Sequence, residues 1–290
     1  MKRYTLLALV AVLTVACATS PTGRRQLMLV SEESAISASK EAYAQTLKPL
    51  AEEGKINNDP ALKQRVTAIT EKLVAQAVKM RPASRNWEWS ITVIDDPETV
   101  NAWCMAGGKM AIYTGLIEKL DASDDEIAQV MGHEIAHALA NHTAERMSVA
   151  MASNTAAILG GIAIGAATDQ PALGLGAAVA ASQLAITLPN SRVSESEADE
   201  IGIELAAKAG YDPRAAVTLW RKMEQVGGGG PPQFLSTHPS PATRQEDLAA
   251  LVPAMMPYYE QDGERPRYDL QRISVATSRP GAGNRSARRP

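Results

Sequence analysis

The sequence has few of the residues that characterise several common protein classes. Its 290 residues include two cysteines, four histidines and one phenylalanine, and aromatic residues make up 4% of the chain. Two cysteines exclude a disulfide-stabilised scaffold and a cysteine-rich zinc module. Neither charge dominates, because 29 Lys and Arg face 32 Asp and Glu, which argues against nucleic acid as the main partner. The length of 290 residues allows one large domain or two small ones, and with 45% hydrophobic residues it is ample for a core.

The first residues have the pattern of a secretory signal. A positively charged start, Met1-Lys2-Arg3, precedes an apolar run from Tyr4 to Ala16. This run is too short to span a bilayer and has the length of a signal-peptide core. We therefore interpret residues 1–16 as a signal peptide.

A cysteine follows the apolar run directly. The segment Thr14-Val15-Ala16-Cys17 resembles the lipobox of bacterial lipoproteins, although Thr14 stands where leucine is usual. The resemblance implies that Cys17 is acylated, that residues 17–30 form a lipid-anchored tether, and that the membrane is a partner through this anchor. Ala18, in place of an acidic residue, implies an outer-membrane lipoprotein that faces the periplasm. The alternative is an ordinary cleaved signal followed by an incidental cysteine.

Residues 31–252 have the pattern of a single domain of the α+β class, mostly α-helical. Capping residues at Ser31 and Asp59 each precede a segment with helical spacing. The segments Trp87–Ile94, Asn101–Met105 and Lys109–Tyr113 predict a small β-sheet. We place the end of the last helix near Leu251 and interpret residues 253–290 as a largely disordered C-terminal tail.

One long stretch is almost uncharged. Between Arg146 and Arg192, Asp169 is the only charged residue, and alanine and glycine are frequent. We predict a helical hairpin packed through small residues. Each half is too short or too interrupted to form a helix that spans a bilayer. Contact of residues 149–188 with a membrane is left open.

A capped helix carries the residues that point to chemistry. Ser123-Asp124-Asp125-Glu126 is a capping-box pattern, and the helix is predicted to run from Ile127 to about Arg146. The alternative, a surface helix with incidental histidines, is disfavoured because the residues around them are apolar and a buried histidine needs a partner.

Two histidines in this helix have metal-ligand spacing. His133 and His137 are four residues apart, so both imidazoles lie on one face and can reach one metal ion. Zinc suits the pair because it accepts nitrogen and oxygen ligands in a tetrahedral arrangement. Glu134 is placed to take a proton from an attacking water and pass it to the leaving amine, as the catalytic residue of a peptide hydrolysis.

The third ligand has to come from another part of the chain. His142 is five residues after His137, about 140° round a continuous helix, and is expected to point elsewhere. Glu195 and Asp199 are four residues apart and share a face, whereas Glu197 lies about 200° from Glu195. One carboxylate of the pair can ligate zinc while the other accepts a hydrogen bond from a ligand imidazole, and spacing leaves open which does which.

Four segments together resemble one known family. They are His133-Glu134-Ile135-Ala136-His137, Ser191-Arg192 followed by Glu195 and Ala198-Asp199, Thr237-His238-Pro239 before Arg244, and the block from Asn101 to Gly115. The sequence resembles the HtpX-type and CAAX-prenyl-protease-type zinc metallopeptidases, which are gluzincins. It is similar to their periplasmic lipoprotein branch, of the LoiP and BepA kind, without the C-terminal repeat region of BepA-like proteins.

The resemblance has implications for fold and site. It implies a gluzincin metallopeptidase core with the His-Glu-x-x-His motif on its active-site helix, over residues 31–252. One zinc ion per chain would be held by His133, His137 and Glu195, with Asp199 as the carboxylate that orients a ligand.

Two further residues enter through the resemblance. The resemblance implies that His238 lies in the active site, as a gate over the open position of zinc or as a donor to the oxyanion. The Gly227–Gly230 run would give its loop mobility. The alternative is a loop histidine that stabilises a turn. Arg244 is a candidate for the same site, with an exposed salt bridge as the alternative.

One strand is a candidate for substrate binding. An extended substrate can pair by its main chain with an edge strand, and we predict this role for Lys109, Met110, Ala111, Ile112 and Tyr113. The alternative is an ordinary internal strand.

Cys104 is expected to be a small buried residue or, failing that, a thiol open to intermolecular pairing.

These observations together predict a zinc-dependent metalloendopeptidase anchored in the cell envelope. The resemblance implies misfolded or misassembled envelope proteins as substrates. The alternative is a non-proteolytic envelope chaperone or assembly factor with a structural or self-inhibited zinc site. A membrane-embedded protease is a weaker third possibility, and the oligomeric state is left open.

Overall fold

The computed structural model describes residues 17–168, 179, 188–226, 233–238 and 243–272. Within these ranges the fold is α+β and mostly helical, as predicted. The signal peptide, the Gly227–Gly230 run and residues 273–290 lie outside the described residues. The helices are α1 (Glu32–Glu52), α2 (Pro60–Met80), α3 (Thr114–Lys119), α4 (Asp124–Leu139), α5 (His142–Thr168), α6 (Leu188–Lys208), α7 (Ala215–Val226), α8 (Gln233–Thr237) and α9 (Arg244–Tyr259), with a 3-10 turn at Pro82–Asn86.

The strands form two small sheets. β1 (Cys17–Thr19) and β2 (Arg25–Leu27) pair as an antiparallel hairpin, and β3 (Ser90–Ile94), β4 (Ala102–Met105) and β5 (Lys109–Tyr113) form a sheet in the order β3-β5-β4. β5 is parallel to β3 and antiparallel to β4. The prediction that Lys109–Tyr113 is an edge strand is therefore wrong, because both of its edges are paired. The strand at the sheet edge on the α4 side is β4.

The helix that carries His133 and His137 is strongly defined at its start. Ser123 caps α4 by accepting a hydrogen bond from the Glu126 N–H, and the Glu126 side chain accepts one from the Ser123 N–H. This completes the predicted capping box, and acidic residues in the first turn complement the helix dipole. From Glu126 to Leu139 every side chain of α4 is buried.

The end of α4 differs from the prediction. The helix was expected to continue to about Arg146, but it ends at Leu139, and Asn141 adopts a left-handed conformation with φ of 56° before α5 begins. Asparagine tolerates this conformation, which commonly ends helices. Side chains satisfy the last carbonyls, because Arg81 donates to the Leu139 oxygen at 2.7 Å and Gln26 donates to the Ala140 oxygen at 2.7 Å.

Helices α4 and α6 approach closely at a pair of glycines. A Cβ added at Gly132 would lie 2.7 Å from the Gly202 oxygen, and one added at Gly202 would lie 2.7 Å from the His133 nitrogen. Only glycine allows the two backbones to come this near. The crossing places the histidines of α4 opposite the carboxylates of α6.

The N-terminal segment predicted as a tether is folded against the domain. Gln26 is buried beside the end of α4, and the N–H groups of Leu29 and Val30 each donate to the Ser148 hydroxyl at 2.9 Å. We refer to residues 17–27 as the N-terminal hairpin. It is a docked part of the structure rather than a free linker.

The C-terminal boundary also needs a correction. The predicted disordered tail from residue 253 is wrong for residues 253–272, because α9 continues to Tyr259 and the chain then packs along α2 and β3. The Tyr268 N–H donates to the Glu71 oxygen at 3.0 Å, and the Gln271 N–H donates to the Trp89 oxygen at 2.8 Å. These two backbone hydrogen bonds attach the segment to the core.

The low-charge stretch begins as a helix and then leaves the described ranges. Its first half lies in α5, where Met151, Ile158, Leu159 and Ile162 are exposed. Among the helices that the structure describes, none combines the length and the apolar character that crossing a bilayer requires. The predicted second half of the hairpin lies mostly outside the described residues.

Candidate metal centre

Four buried side chains converge between α4, α6 and the end of α8. His133 and His137 come from α4, Glu195 from α6, and His238 follows α8. One ligand atom from each lies within 4.8 Å of the others. Elements far apart in sequence therefore meet at one point.

The spacing of these atoms fits a tetrahedral zinc ion. Ligands about 2.0–2.1 Å from zinc in tetrahedral geometry are about 3.3–3.4 Å from one another. His133 Nε2 and His137 Nε2 are 3.1 Å apart, and Glu195 oxygens lie 3.3 Å from His133 Nε2 and 3.5 Å from His137 Nε2. Two imidazoles and a carboxylate are also the donor types that zinc accepts. The residues present therefore fit zinc.

His238 occupies the fourth corner of this arrangement. Its Nδ1 is 3.4 Å from His133 Nε2 and 3.1 Å from a Glu195 oxygen. Its other nitrogen, Nε2, is 3.4 Å from Glu134 Oε1. His238 is buried and stacks on Phe234, with the ring centroids 4.5 Å apart. His238 thus lies at the site, with Nδ1 at the fourth donor position and Nε2 towards Glu134.

Glu134 lies beside the cluster and faces a cleft. Its Oε2 accepts a hydrogen bond of 3.3 Å from the Cys104 N–H on β4, and its Oε1 has no hydrogen-bond partner within the described parts of the chain. The cleft has a volume of about 420 Å³ and is lined by β4, Glu134, His137 and His238. A buried carboxylate oxygen with a free lone pair at a cleft is available to a ligand or a proton.

Asp199 and Arg244 contact the opposite nitrogen of His133. Asp199 Oδ1 lies 2.9 Å from His133 Nδ1 and also accepts a hydrogen bond from the Arg244 guanidinium. Arg244 is buried, with its guanidinium carbon 3.5 Å from the ring centre of Trp220, so the alternative of an exposed salt bridge is excluded. Its Nε and Nη1 have no hydrogen-bond partner in the described structure.

The protonation of the cluster follows from burial and from these contacts. Burial disfavours the charged form of His133, but hydrogen bonds to Asp199 and Glu195 outweigh it and raise the pKa of His133 to about 9. Burial lowers the pKa of His137 well below its usual value. Burial opposes ionisation of Glu195, yet hydrogen bonds from His133, His137 and His238 hold the pKa of Glu195 far below its usual range. Metal uptake would displace the His133 proton, because a ligating nitrogen needs a free lone pair.

His142 lies beside the site, against the prediction. It was expected to point away, but its Nδ1 lies 2.8 Å from His137 Nδ1 and its Nε2 lies 3.0 Å from a Glu197 oxygen. The angle calculated for a continuous helix does not apply, because the left-handed turn at Asn141 separates the two histidines. Asn141 was the signal for this break, because asparagine commonly adopts the left-handed conformation at the end of a helix.

Cys104 is a free cysteine and is buried. Burial raises the pKa of its thiol well above the usual value, so the thiol stays protonated. This agrees with the expected role as a small buried residue.

A helix that supplies two imidazoles and an adjacent glutamate, with a third donor from a following helix, defines a zinc metallopeptidase of the gluzincin type. The sequence pattern of "Peptidase family M48" matches residues 60–252. The chain belongs to peptidase family M48.

Several named proteins are similar to this chain. The mitochondrial metalloendopeptidase OMA1 of Arabidopsis thaliana is 39% identical over 180 residues, which are 61% of this chain and 35% of that protein. The human mitochondrial metalloendopeptidase OMA1 is 32% identical over 241 residues, 80% of this chain and 45% of that protein. The β-barrel assembly-enhancing protease of Escherichia coli K12 is 28% identical over 212 residues, 71% of this chain and 42% of that protein. The chain thus spans about a third to a half of these relatives.

Proposed function

We propose that this protein is a zinc-dependent metalloendopeptidase that cleaves misfolded or misassembled cell-envelope proteins. The observation that carries the proposal is the tetrahedral spacing of the His133, His137 and Glu195 donor atoms beside a carboxylate with a free oxygen. The similarity to the β-barrel assembly-enhancing protease supports an envelope location, and the lipobox-like segment at Cys17 supports a lipid anchor. The similarity to mitochondrial OMA1 proteins supports the endopeptidase activity and not this location.

The residues of the site have distinct roles in the proposed reaction. Zinc held by His133, His137 and Glu195 would polarise the scissile carbonyl and acidify a water. Glu134 takes the proton of the attacking water at Oε1, the oxygen that has no hydrogen-bond partner in the described structure, and delivers it to the leaving amine. Asp199 accepts the Nδ1–H of His133 and so fixes that ring.

The proposal for Glu134 is tested by one conservative substitution. Glu134→Gln keeps the size and the zinc ligands but cannot accept a proton, and we expect it to retain one zinc per chain and lose casein cleavage by at least about 100-fold. Zinc is measured by mass spectrometry on the same preparations. Undiminished cleavage by a zinc-loaded Glu134→Gln protein would refute the mechanism.

The alternative function, a chaperone with a self-inhibited zinc site, is supported by the position of His238. Its Nδ1 is at the fourth donor position, where water has to enter for hydrolysis. We propose that His238 acts as a gate and that Arg244 supports the same site. If so, His238→Ala raises casein cleavage. A large drop would assign His238 to catalysis, and no cleavage by either protein, with zinc present, would favour the chaperone.

The topology of the sheet changes the proposal for substrate binding. β4, and not β5, is the edge strand of the cleft. The Tyr113 N–H donates to the Asn101 oxygen, so by the alternation of an antiparallel pair the N–H and C=O groups of Ala102 and Cys104 face away from β5. The hydrogen bond from the Cys104 N–H to Glu134 agrees with this direction. The Ala102 and Cys104 N–H groups donate to the side chains of Asn101 and Glu134, so we propose that an extended substrate donates its own N–H groups to the Ala102 and Cys104 carbonyl oxygens.

Peptides methylated at single backbone nitrogens test this pairing. A methyl group removes one donor without changing the side chain, so cleavage should fall at every second position of the segment that binds β4 and persist at the positions between. Each intervening peptide is the matched control for its neighbour. A uniform loss, or no loss, would contradict pairing with β4.

A further inference from the structure

The nitrogen of His137 that faces away from the donor cluster has its own partner. Nε2 of His137 faces His133 and Glu195, while Nδ1 lies 2.8 Å from Nδ1 of His142. An imidazole that binds a metal through Nε2 carries its hydrogen on Nδ1 and donates it to a neighbouring acceptor. His142 Nδ1 is therefore the acceptor, and the hydrogen of His142 lies on Nε2.

A carboxylate accepts that second hydrogen. His142 Nε2 lies 3.0 Å from Glu197 Oε2, and both side chains are buried. The two ligand imidazoles are thus supported differently. His133 contacts a carboxylate directly, whereas His137 reaches Glu197 through a second imidazole.

The N-terminal hairpin completes this chain of hydrogen bonds. Glu197 accepts from the hydroxyls of Ser20 and Thr22 and, at 2.7 Å, from Arg24 Nε. The two terminal nitrogens of Arg24 donate to Glu145 at 2.7 and 2.6 Å. Both carboxylates are buried, and Arg24 is 18% exposed. One arginine therefore donates three hydrogen bonds to two acidic residues from different helices.

We propose that His142, Glu197 and Arg24 are positioning residues for the zinc ligand His137. Glu197 holds His142 in the tautomer that accepts from His137, and the docked hairpin holds Glu197. Zinc retention therefore depends on a segment that contributes no ligand. The inference rests on the zinc ligation by His137 described above, and it assigns a function to a segment that the sequence marks only as a tether.

The test compares zinc affinity in the full-length protein with substitutions along this chain. His142→Leu removes the acceptor and the donor, and we expect zinc affinity to fall by about 10- to 100-fold. His142→Gln keeps both functions, because its amide oxygen can accept from His137 and its amide nitrogen can donate to Glu197. It should restore most of the affinity. Affinity is measured by competition with a chromophoric chelator.

Arg24→Met tests the contribution of the hairpin. We expect zinc affinity to fall by about 10-fold, and Arg25→Met is the matched control because Arg25 is the next residue and is exposed. In the double variant with His142→Leu, the loss of Arg24 should add little, because both act through one chain. Fully additive losses would refute this coupling.

A spectroscopic measurement separates positioning from folding. With cobalt in place of zinc, the visible absorption bands report ligand geometry, and they should shift in His142→Leu and return towards the wild-type bands in His142→Gln. The unfolding of the metal-free proteins by urea shows whether the substitution acts on the fold alone. An unchanged affinity and spectrum in His142→Leu would overturn the proposal. A wild-type protein that binds no zinc would instead overturn the metal site itself.

Discussion

The two sides of the α4–α6 helix pair hold similar groups in different states of satisfaction. On the side of the metal cluster, Glu134 Oε1 and two nitrogens of Arg244 have no hydrogen-bond partner in the described structure. On the opposite side, every carboxylate oxygen of Glu197 and Glu145 accepts a hydrogen bond. The ring of His142 makes a hydrogen bond at each of its two nitrogens. Unpaired buried groups are costly, so their presence marks the side that meets a ligand. The side whose polar groups are all paired holds the side with the unpaired groups in position.

The largest expected effect is on the side of the metal cluster. Glu195→Ala removes one of three zinc donors, and we expect loss of stoichiometric zinc and a decrease in kcat/KM of at least about 10,000-fold, or about 5.5 kcal/mol. The far-ultraviolet circular dichroism of the folded protein should be retained. Zinc content and casein cleavage are measured together, and a variant that keeps both would show that Glu195 is not a ligand.

The next effect is on the opposite side and concerns folding. Glu145→Gln removes the charge that faces Arg24, and we expect the free energy of unfolding of the metal-free protein to fall by about 3 kcal/mol. The reason is that Arg24, which is 18% exposed, then keeps Glu197 as its ionised partner but loses the charge of Glu145. Urea unfolding measures this change. A decrease in the free energy of unfolding below about 0.5 kcal/mol, the size seen for substitutions at exposed sites, would show that the buried pairing of Arg24 contributes no more than a surface contact.

A third substitution acts on both sides at once. Gly202→Ala places a methyl group against the His133 backbone, and we expect a loss of about 1–3 kcal/mol in stability as α6 moves away from α4. Zinc affinity should fall with it, because the donors of the two helices separate. Glu200→Ala, at an exposed position of the same helix, is the control and should change neither quantity.

The smallest effect is expected for an ion pair at the surface. Arg65 and Asp124 are 2.6 Å apart at the start of α4, but both side chains are substantially exposed. Arg65→Met should cost less than about 1 kcal/mol, because water and salt screen the pair. Urea unfolding at low and high salt measures it. A cost equal to that of Glu145→Gln would mean that burial does not distinguish the two ion pairs.

Local signals predicted much of the site. The capping box at Ser123, the spacing of His133 and His137, and the shared face of Glu195 and Asp199 depend on neighbouring residues in one helix, and each is present in the structure. The resemblance to known metallopeptidases brought His238 to the site, which no local pattern would have done.

What the sequence did not predict depends on breaks and on distant contacts. A single left-handed residue, Asn141, reverses the direction expected for His142. The order β3-β5-β4 is set by pairing between segments, which alternation along one strand does not reveal. The docking of Arg24 joins residues more than a hundred positions apart, so a short polar segment has the composition of a linker and the contacts of a core element.

With the proposed lipid on Cys17, the N-terminal hairpin would limit the distance between the membrane and the proposed protease. Cys17 is paired with Leu27, and three residues later Ser20 contacts Glu197. Three residues span at most about 10 Å, so a lipid on Cys17 would leave almost no slack between the membrane surface and the body of the protein. Such a protease would work at a fixed height above the bilayer, and a substrate would have to be presented at that height to be cut.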